Sequence, residues 1–163
     1  MDFTYSWSSQ LESAGLVAIA AVLGGIIGYD RETANKPAGL RTHMMVAGAT
    51  GLVAAVGRTV FFDAGGHMGD PARALQAAIM GIGFIGAGTI ITREGDMRVE
   101  GLTTAGSLFF AAAIGVGTGF GLVPLAVVAT ALVVLILSGV RAMEHQVQKR
   151  RRRDLDDVPP PMH

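Results

Sequence analysis

The chain has 163 residues, zero formal net charge and no cysteine; half of its residues are hydrophobic and only 16% are charged. A soluble domain normally carries about 25% charged residues, so the composition argues against a soluble globular protein. The absence of cysteine excludes disulfides and thiol catalysis. The length is sufficient for one domain.

Five apolar segments are each long enough to cross a bilayer, which takes about 20 residues in a helix. They cover residues 11–29, 43–62, 74–92, 102–120 and 122–140. The N-terminus lacks the basic start and cleavage site of a signal peptide, so the first segment is interpreted as a mature membrane helix. The sequence therefore predicts an all-α, polytopic membrane helix bundle over residues 1–142. Residues 143–163 form a tail that is first basic and then acidic and Pro-rich.

Basic residues are concentrated on one side of the predicted membrane. Eleven of the 13 Lys and Arg residues fall in loops one and three and in the tail, against Arg58 and Arg73 on the other side. Cytoplasmic loops carry this excess, so we expect a multi-pass inner-membrane protein with its N-terminus outside and its C-terminus in the cytoplasm. The basic run at 149–153 is expected to fix this topology and attract anionic lipid, not nucleic acid.

A charged motif in the first loop recurs in the third loop, 62 positions later. It comprises Arg31, Glu32, Gly39, Leu40 and Thr42 in the first copy and Arg93, Glu94, Gly101, Leu102 and Thr104 in the second. The predicted topology makes helices 1–2 and 3–4 parallel repeats, related by an axis along the membrane normal. Both loops then lie on the cytoplasmic side.

The two loops predict a functional cluster on the cytoplasmic face. Acidic residues near a membrane usually pair or mark a site, and Mg²⁺ prefers a few carboxylates with retained water. Three alternatives remain at this point: a Mg²⁺ site at Asp30 and Glu32, structural Arg–Glu pairs between the loops, and interfacial anchoring. Thr42 is expected to cap the second helix. The cluster comprises Asp30, Arg31, Glu32, Lys36, Pro37, Gly39, Arg41, Thr42, His43, Arg93, Glu94, Thr103 and Thr104.

The third segment contains the glycines Gly81, Gly83, Gly86 and Gly88. The first three match a dinucleotide-binding pattern, but that pattern requires a preceding strand, and here it lies inside an apolar span. Small residues let membrane helices approach closely, so these positions predict helix packing and a homodimer; the alternative is a broken helix lining a polar site. The four histidines fall in separate regions, which predicts a non-enzymatic protein with no catalytic residues.

Several ordered blocks resemble the signature of the MgtC/SapB membrane proteins. They cover residues 28–32, 36–43, 81–88 and 101–105. The resemblance implies a bacterial inner-membrane protein linked to magnesium homeostasis, stress survival and, in pathogens, virulence. The best-known member is regarded as a regulator of the F-type ATP synthase and not as a magnesium transporter. Many members also carry a soluble C-terminal domain of the ACT type, where this chain has only a short tail, and Phe109 stands where the family often has Trp.

The leading hypothesis is a regulatory membrane protein that acts through its cytoplasmic loops. Its expected partners are the lipid bilayer, a second copy of the chain and a membrane protein complex such as the F-type ATP synthase. The alternative is a small transporter or channel for Mg²⁺, protons or a small solute, which two parallel repeats and interfacial acids would also suit.

Overall fold

In a computed structural model, which describes residues 6–63, 71–92 and 99–156, the chain forms five helices and one pair of short strands. The all-α prediction is confirmed for the helices, whereas the two strands, which pair antiparallel with Ile91 opposite Glu100, were not predicted. The elements are α1 (Trp7–Thr33), α2 (Leu40–Asp63), α3 (Pro71–Gly88), β1 (Ile91–Thr92), β2 (Val99–Glu100), α4 (Leu102–Gly119) and α5 (Val123–Asp156).

A Schellman motif ends α1. Asn35 has a φ of +53°, a conformation that asparagine tolerates better than most residues. Its N–H donates to the Glu32 carbonyl at 2.9 Å, and the Lys36 N–H donates to the Arg31 carbonyl at 3.1 Å. These two bonds satisfy carbonyls that the helix end would otherwise leave open. The chain is thereby turned back towards α2.

The start of α2 differs from the prediction. Its first residue is Leu40, and the Leu40 N–H donates to the Glu32 carboxylate at 2.8 Å. The expectation that Thr42 caps this helix is wrong, because Thr42 already lies inside the first turn. A carboxylate from the preceding helix satisfies the backbone donor, as a capping side chain would.

The third apolar segment ends its helix earlier than predicted, at Gly88 and not at residue 92. Residues 90–92 are Ile, Ile and Thr, whose β-branched side chains favour a strand, and the last two form β1. Gly101, with a φ of +94°, lies directly against the Thr89 carbonyl oxygen. Only glycine fits there, since a Cβ would overlap that oxygen.

The helices α2 and α4 run parallel through the centre of the bundle. His43 of α2 lies beside Ser107 of α4, and one to two turns further along both helices Thr50 donates to the Ala112 carbonyl at 3.0 Å. Helix α1 packs antiparallel against α2, α3 lies against α2 and α4, and α5 lies against α1 and α4. One apolar cluster comprises Ala38, Val46, Ala47, Ile82, Leu108, Ala111 and Ala112. The other comprises Leu23, Ile27, Ile114, Ala126 and Val133.

Large apolar side chains cover the outside of the bundle. Phe84 and Met80 of α3 are 84% and 76% exposed, and Leu135 of α5 is 68% exposed. A water-soluble monomer rarely exposes so much apolar surface. Within the described ranges, three helical segments are long and apolar enough to cross a membrane: Trp7–Thr33, Leu102–Gly119 and Val123–Arg141. The chain is therefore a membrane protein, while crossings by α2 and α3 and the orientation stay predictions.

The predicted repeat also stays a prediction, although three contacts agree with it. Thr50 and Ala112 are 62 positions apart, as residues beside a two-fold axis would be. Gly24 lies against His43, and Gly86 lies against Ala105. Gly86 and Ala105 are the positions 62 residues after Gly24 and His43, so the second contact repeats the first. Helix α5 continues to Asp156, so the predicted tail is helical well beyond residue 140.

Candidate functional site

Four helices meet at one end of the bundle, which we call the Arg31 end. It comprises the last turns of α1 with residues 34–39, the first turns of α2 and α4, and Arg141 of α5. Three side-chain contacts hold it together: Arg31 with Thr104, His43 with Ser107, and Asp30 with Arg141. Each joins residues from different helices, so the structure brings distant parts of the sequence into one polar cluster.

Arg31 is the buried cation of this end. Its side chain is only 4% exposed, and its Nη2 donates to the Thr104 hydroxyl at 3.4 Å. Its Nε is buried and has no hydrogen-bond partner in the described part of the chain. A guanidinium carries five N–H donors, and a buried charge is costly unless it is paired and hydrogen-bonded. Arg31 therefore retains donor capacity that the described residues do not use.

His43 joins the α1–α2 turn to α4. It is fully buried; its Nδ1 lies 2.9 Å from the Gly39 carbonyl and its Nε2 lies 3.1 Å from the Ser107 hydroxyl. Because a carbonyl only accepts, Nδ1 carries the proton. Ser107 also donates to the Thr104 carbonyl at 2.8 Å. All three contacts are hydrogen bonds at once only when His43 is doubly protonated, since Ser107 has a single proton to give.

The pair of Ser107 and His43 was missed by the sequence reasoning, which found no nucleophile beside a base. The hydroxyl, the imidazole and the Gly39 carbonyl stand in the order of nucleophile, base and orienting group. However, Ser107 and His43 are 3% and 0% exposed, which leaves no room for a substrate carbonyl at the hydroxyl. The arrangement thus suits coupling of α2 to α4.

The two carboxylates proposed for Mg²⁺ are occupied by different partners. Asp30 accepts from Arg141 Nη2 at 2.8 Å, and the same nitrogen donates to the Asp30 carbonyl at 3.1 Å. Glu32 instead accepts from the Leu40 N–H. Within the described ranges, no group of three or more His, Asp and Glu residues is placed to hold a metal ion. Asp30 and Glu32 thus have other partners in this arrangement, and a Mg²⁺ site at these two residues stays a prediction.

The remaining predicted residues divide by exposure. Thr104 is buried, next to Arg31. Both Gly39 and Thr42 are half-buried. Because Arg93 and Glu94 lie outside the described residues, Arg–Glu pairing between the loops stays a prediction. The exposed members are Lys36, Pro37, Arg41 and Thr103.

Of the four predicted packing glycines, only Gly86 approaches another helix of the described chain: a Cβ added to it would lie 3.6 Å from the Ala105 Cβ. A Cβ at Gly81, Gly83 or Gly88 would meet nothing within 4 Å. A packing role for these three, for example against a second copy, stays a prediction.

Arg141, like Ser107, belongs to the Arg31 end but was missed by the sequence reasoning. It was counted only as a topology marker after the fifth apolar segment. Its position at the end of a long apolar helix is only a weak indication that the arginine side chain contacts a polar partner at the membrane boundary. For Ser107, small and polar inside an apolar segment, no such signal exists.

The chain is similar to known proteins over most of its length. A sequence model of the MgtC family matches residues 17–146. The chain is 38% identical over 148 residues to protein MgtC of Brucella abortus (strain 2308), covering 88% of this chain and 59% of that protein. It is 37% identical over 122 residues to the putative magnesium transporter YhiD of Escherichia coli (strain K12), covering 73% and 56%. It is 34% identical over 133 residues to protein SrpB of Synechococcus elongatus, covering 77% and 73%.

The chain thus spans less than two thirds of the length of the Brucella and Escherichia relatives. No solved structure matches it.

Proposed function

This chain belongs to the MgtC family, and we propose that it is a non-enzymatic regulatory protein of a bacterial inner membrane that acts through its Arg31 end. The observation that carries the proposal is the way this end is built. Asp30 is bonded to Arg141, and Glu32 is bonded to the Leu40 N–H, while Lys36 and Arg41 of the same end are exposed. A fixed polar frame that presents exposed basic residues suits recognition of another molecule.

The interior of the bundle supports regulation more than transport. Thr50, Thr118 and Thr130 are buried, yet each donates to a carbonyl one turn earlier in its own helix. Donation uses the hydroxyl proton but leaves the oxygen lone pairs, so it is the burial of these three side chains that withholds their oxygens from a passing ion. A transporter site at the membrane centre would instead be expected to present unsatisfied oxygens or broken helices.

The cytoplasmic orientation and the partners are part of the proposal. The distribution of Lys and Arg along the chain supports a cytoplasmic Arg31 end. The family resemblance suggests a membrane protein complex such as the F-type ATP synthase as the partner, and the open glycine face of α3 suggests a homodimer. The name of the Escherichia relative, a putative magnesium transporter, supports a role under magnesium limitation.

Copurification tests this proposal. The full-length chain, extracted from native membranes in mild detergent, should carry a membrane complex with it. Arg41→Gln removes an exposed charge from the Arg31 end and should abolish recovery of the complex. The matched control is Arg73→Gln, an exposed arginine near the start of α3, at the opposite end of the bundle, which should retain it. Failure to recover any complex with the wild type, or equal recovery with both variants, would contradict the proposal.

A transporter is the second candidate, and the name of the Escherichia relative favours it. Purified protein in liposomes should then move Mg²⁺ or protons into the lumen, as reported by an entrapped indicator dye. Asp30→Asn should stop the flux. Liposomes that contain folded protein and remain impermeable would eliminate this candidate.

A further inference from the structure

A cavity of about 700 Å³ opens at the Arg31 end between α1, α4 and α5. The end of α1 and the following turn form one wall, Thr103 of α4 forms the second, and α5 forms the third. The cavity lies beside Arg141, the last residue of the apolar membrane-spanning part of α5. It is therefore placed at the boundary between membrane and water.

The polar lining of this cavity is positively charged. Arg31, Lys36 and Arg141 all line it, and no acidic side chain does so among the described residues. The Asp30 carboxylate, bonded to Arg141 at 2.8 Å, offsets one of these charges. Arg31 and Lys36 have no carboxylate bonded to them in the described ranges. Asp30 is also close enough to Arg31 to act on its charge, so the three basic side chains and this one carboxylate leave an excess of two positive charges at the cavity.

Arg31 supplies an independent sign that an anion belongs here. Its side chain is more than nine-tenths buried, and its Nε is buried without a partner among the described residues. Phosphate oxygens are strong acceptors for guanidinium donors. Because Arg31 lines the cavity, an anionic oxygen there would offset the cost of the buried charge and accept a hydrogen bond from the guanidinium.

The third wall distinguishes an amphiphile from a small soluble anion. Ile136, Leu137 and Val140 of α5 line the cavity, and Ile136 and Val140 are 50% and 51% exposed. The same helix continues this apolar surface away from the Arg31 end through Leu135 and Leu132, which are 68% and 52% exposed. A ligand with a phosphate group and an attached acyl chain matches both halves of the lining.

We propose that this cavity binds the phosphate group of an anionic phospholipid, whose acyl chain lies along the exposed apolar face of α5. Basic pockets between membrane helices recognise lipid headgroups in this way. The same phosphate chemistry could come from free inorganic phosphate, and the experiment separates the two sources. The proposal does not depend on the regulatory function, because its test measures binding and not growth or copurification.

The test is lipid binding by the full-length, delipidated chain in neutral detergent, followed by native mass spectrometry. The probes are phosphatidylglycerol, phosphatidylcholine and inorganic phosphate. We expect phosphatidylglycerol to bind more tightly than phosphatidylcholine and to resist competition by phosphate at equal concentration. Removing one basic residue should weaken binding about fivefold, so Lys36→Gln should have that effect on phosphatidylglycerol and a smaller one on phosphatidylcholine, whose choline group cancels the phosphate charge.

Two further variants make the outcome decisive. Arg31→Gln should weaken phosphatidylglycerol binding at least as much as Lys36→Gln; if it fails to fold, Lys36→Gln decides alone, because Lys36 is exposed. Arg73→Gln removes an exposed positive charge at the opposite end and should leave the affinity unchanged. Equal affinity for the two lipids, or equal loss in Lys36→Gln and Arg73→Gln, would overturn the site. Displacement by inorganic phosphate at equal concentration would overturn its assignment to a lipid.

Discussion

Arg31 and Thr104 are 73 positions apart, yet the Arg31 guanidinium donates to the Thr104 hydroxyl at 3.4 Å. Both side chains are buried, at 4% and 2% exposure. The contact joins the last turn of α1 to the first turn of α4. Together with the bond between His43 and Ser107, it makes the Arg31 end a coupled polar unit and not a set of separate helix ends.

Thr104→Val should destabilise the chain. The change preserves the shape of the side chain but removes the acceptor of a buried guanidinium, which we expect to cost about 1–3 kcal/mol in the free energy of unfolding. Thr103→Val is the matched control, since Thr103 is the adjacent residue and is exposed. Equilibrium unfolding in mixed micelles measures both. Equal stability of the two variants would show that the contact contributes nothing.

Gly28→Ala should separate α1 from α2. A Cβ at this position would lie 2.7 Å from the Leu40 Cα and 2.8 Å from the Gly39 carbonyl oxygen, and backbone atoms cannot move aside as a side chain can. Overpacking of this kind costs about 1–3 kcal/mol. Gly15→Ala, where nothing lies within 4 Å, should be neutral or slightly stabilising in the same unfolding measurement. A neutral Gly28→Ala would mean that the helices lie further apart.

The Asp30–Arg141 pair should contribute more to stability than the Glu12–Arg58 pair. In the first pair the Arg141 nitrogen lies 2.8 Å from the Asp30 carboxylate, and the side chains of Asp30 and Arg141 are 13% and 30% exposed. In the second pair the nitrogen–oxygen distance is 3.5 Å, and the side chains of Glu12 and Arg58 are 66% and 26% exposed. Double-mutant cycles with Asn and Gln replacements should give a coupling energy of about 1–2 kcal/mol for the partly buried pair. The exposed pair should give at most about 0.5 kcal/mol. The reverse order would contradict the geometry.

Salt offers a second test of the same two pairs. Exposed charges are screened by dissolved ions, whereas partly buried ones are screened much less. Raising the salt concentration should therefore remove the coupling between Glu12 and Arg58 while leaving most of the coupling between Asp30 and Arg141. A loss of both couplings in parallel would indicate that Asp30 and Arg141 are fully solvated.

Much of the architecture could be predicted from the sequence because it depends on local composition. Long apolar segments indicated the helices, and the charged motif of the first loop marked the connection after α1. The repeated motif drew attention to Arg31 and Thr104, although it gave no reason to expect them to touch. These two residues meet only because α1 packs against α4. No local pattern in a single sequence reveals which helices pack together.

The predictions that failed did so for specific physical reasons. Thr42 was expected to cap α2, but the left-handed conformation of Asn35 turns the chain so that Glu32 reaches the Leu40 N–H instead. The third helix was extended to residue 92 because hydropathy does not distinguish an apolar helix from an apolar strand. Ser107 and Arg141 escaped notice since each gains its role from a partner on a distant helix.

The most direct test of the central claim, that the Arg31 end is the functional face, is growth under magnesium limitation. The test strain lacks its own family member and carries the wild-type chain, Arg41→Gln or Arg73→Gln, all present in the membrane at equal amounts. The account predicts that the wild type and Arg73→Gln restore growth in low magnesium and that Arg41→Gln does not. Growth of the Arg41→Gln strain at the wild-type rate would contradict it.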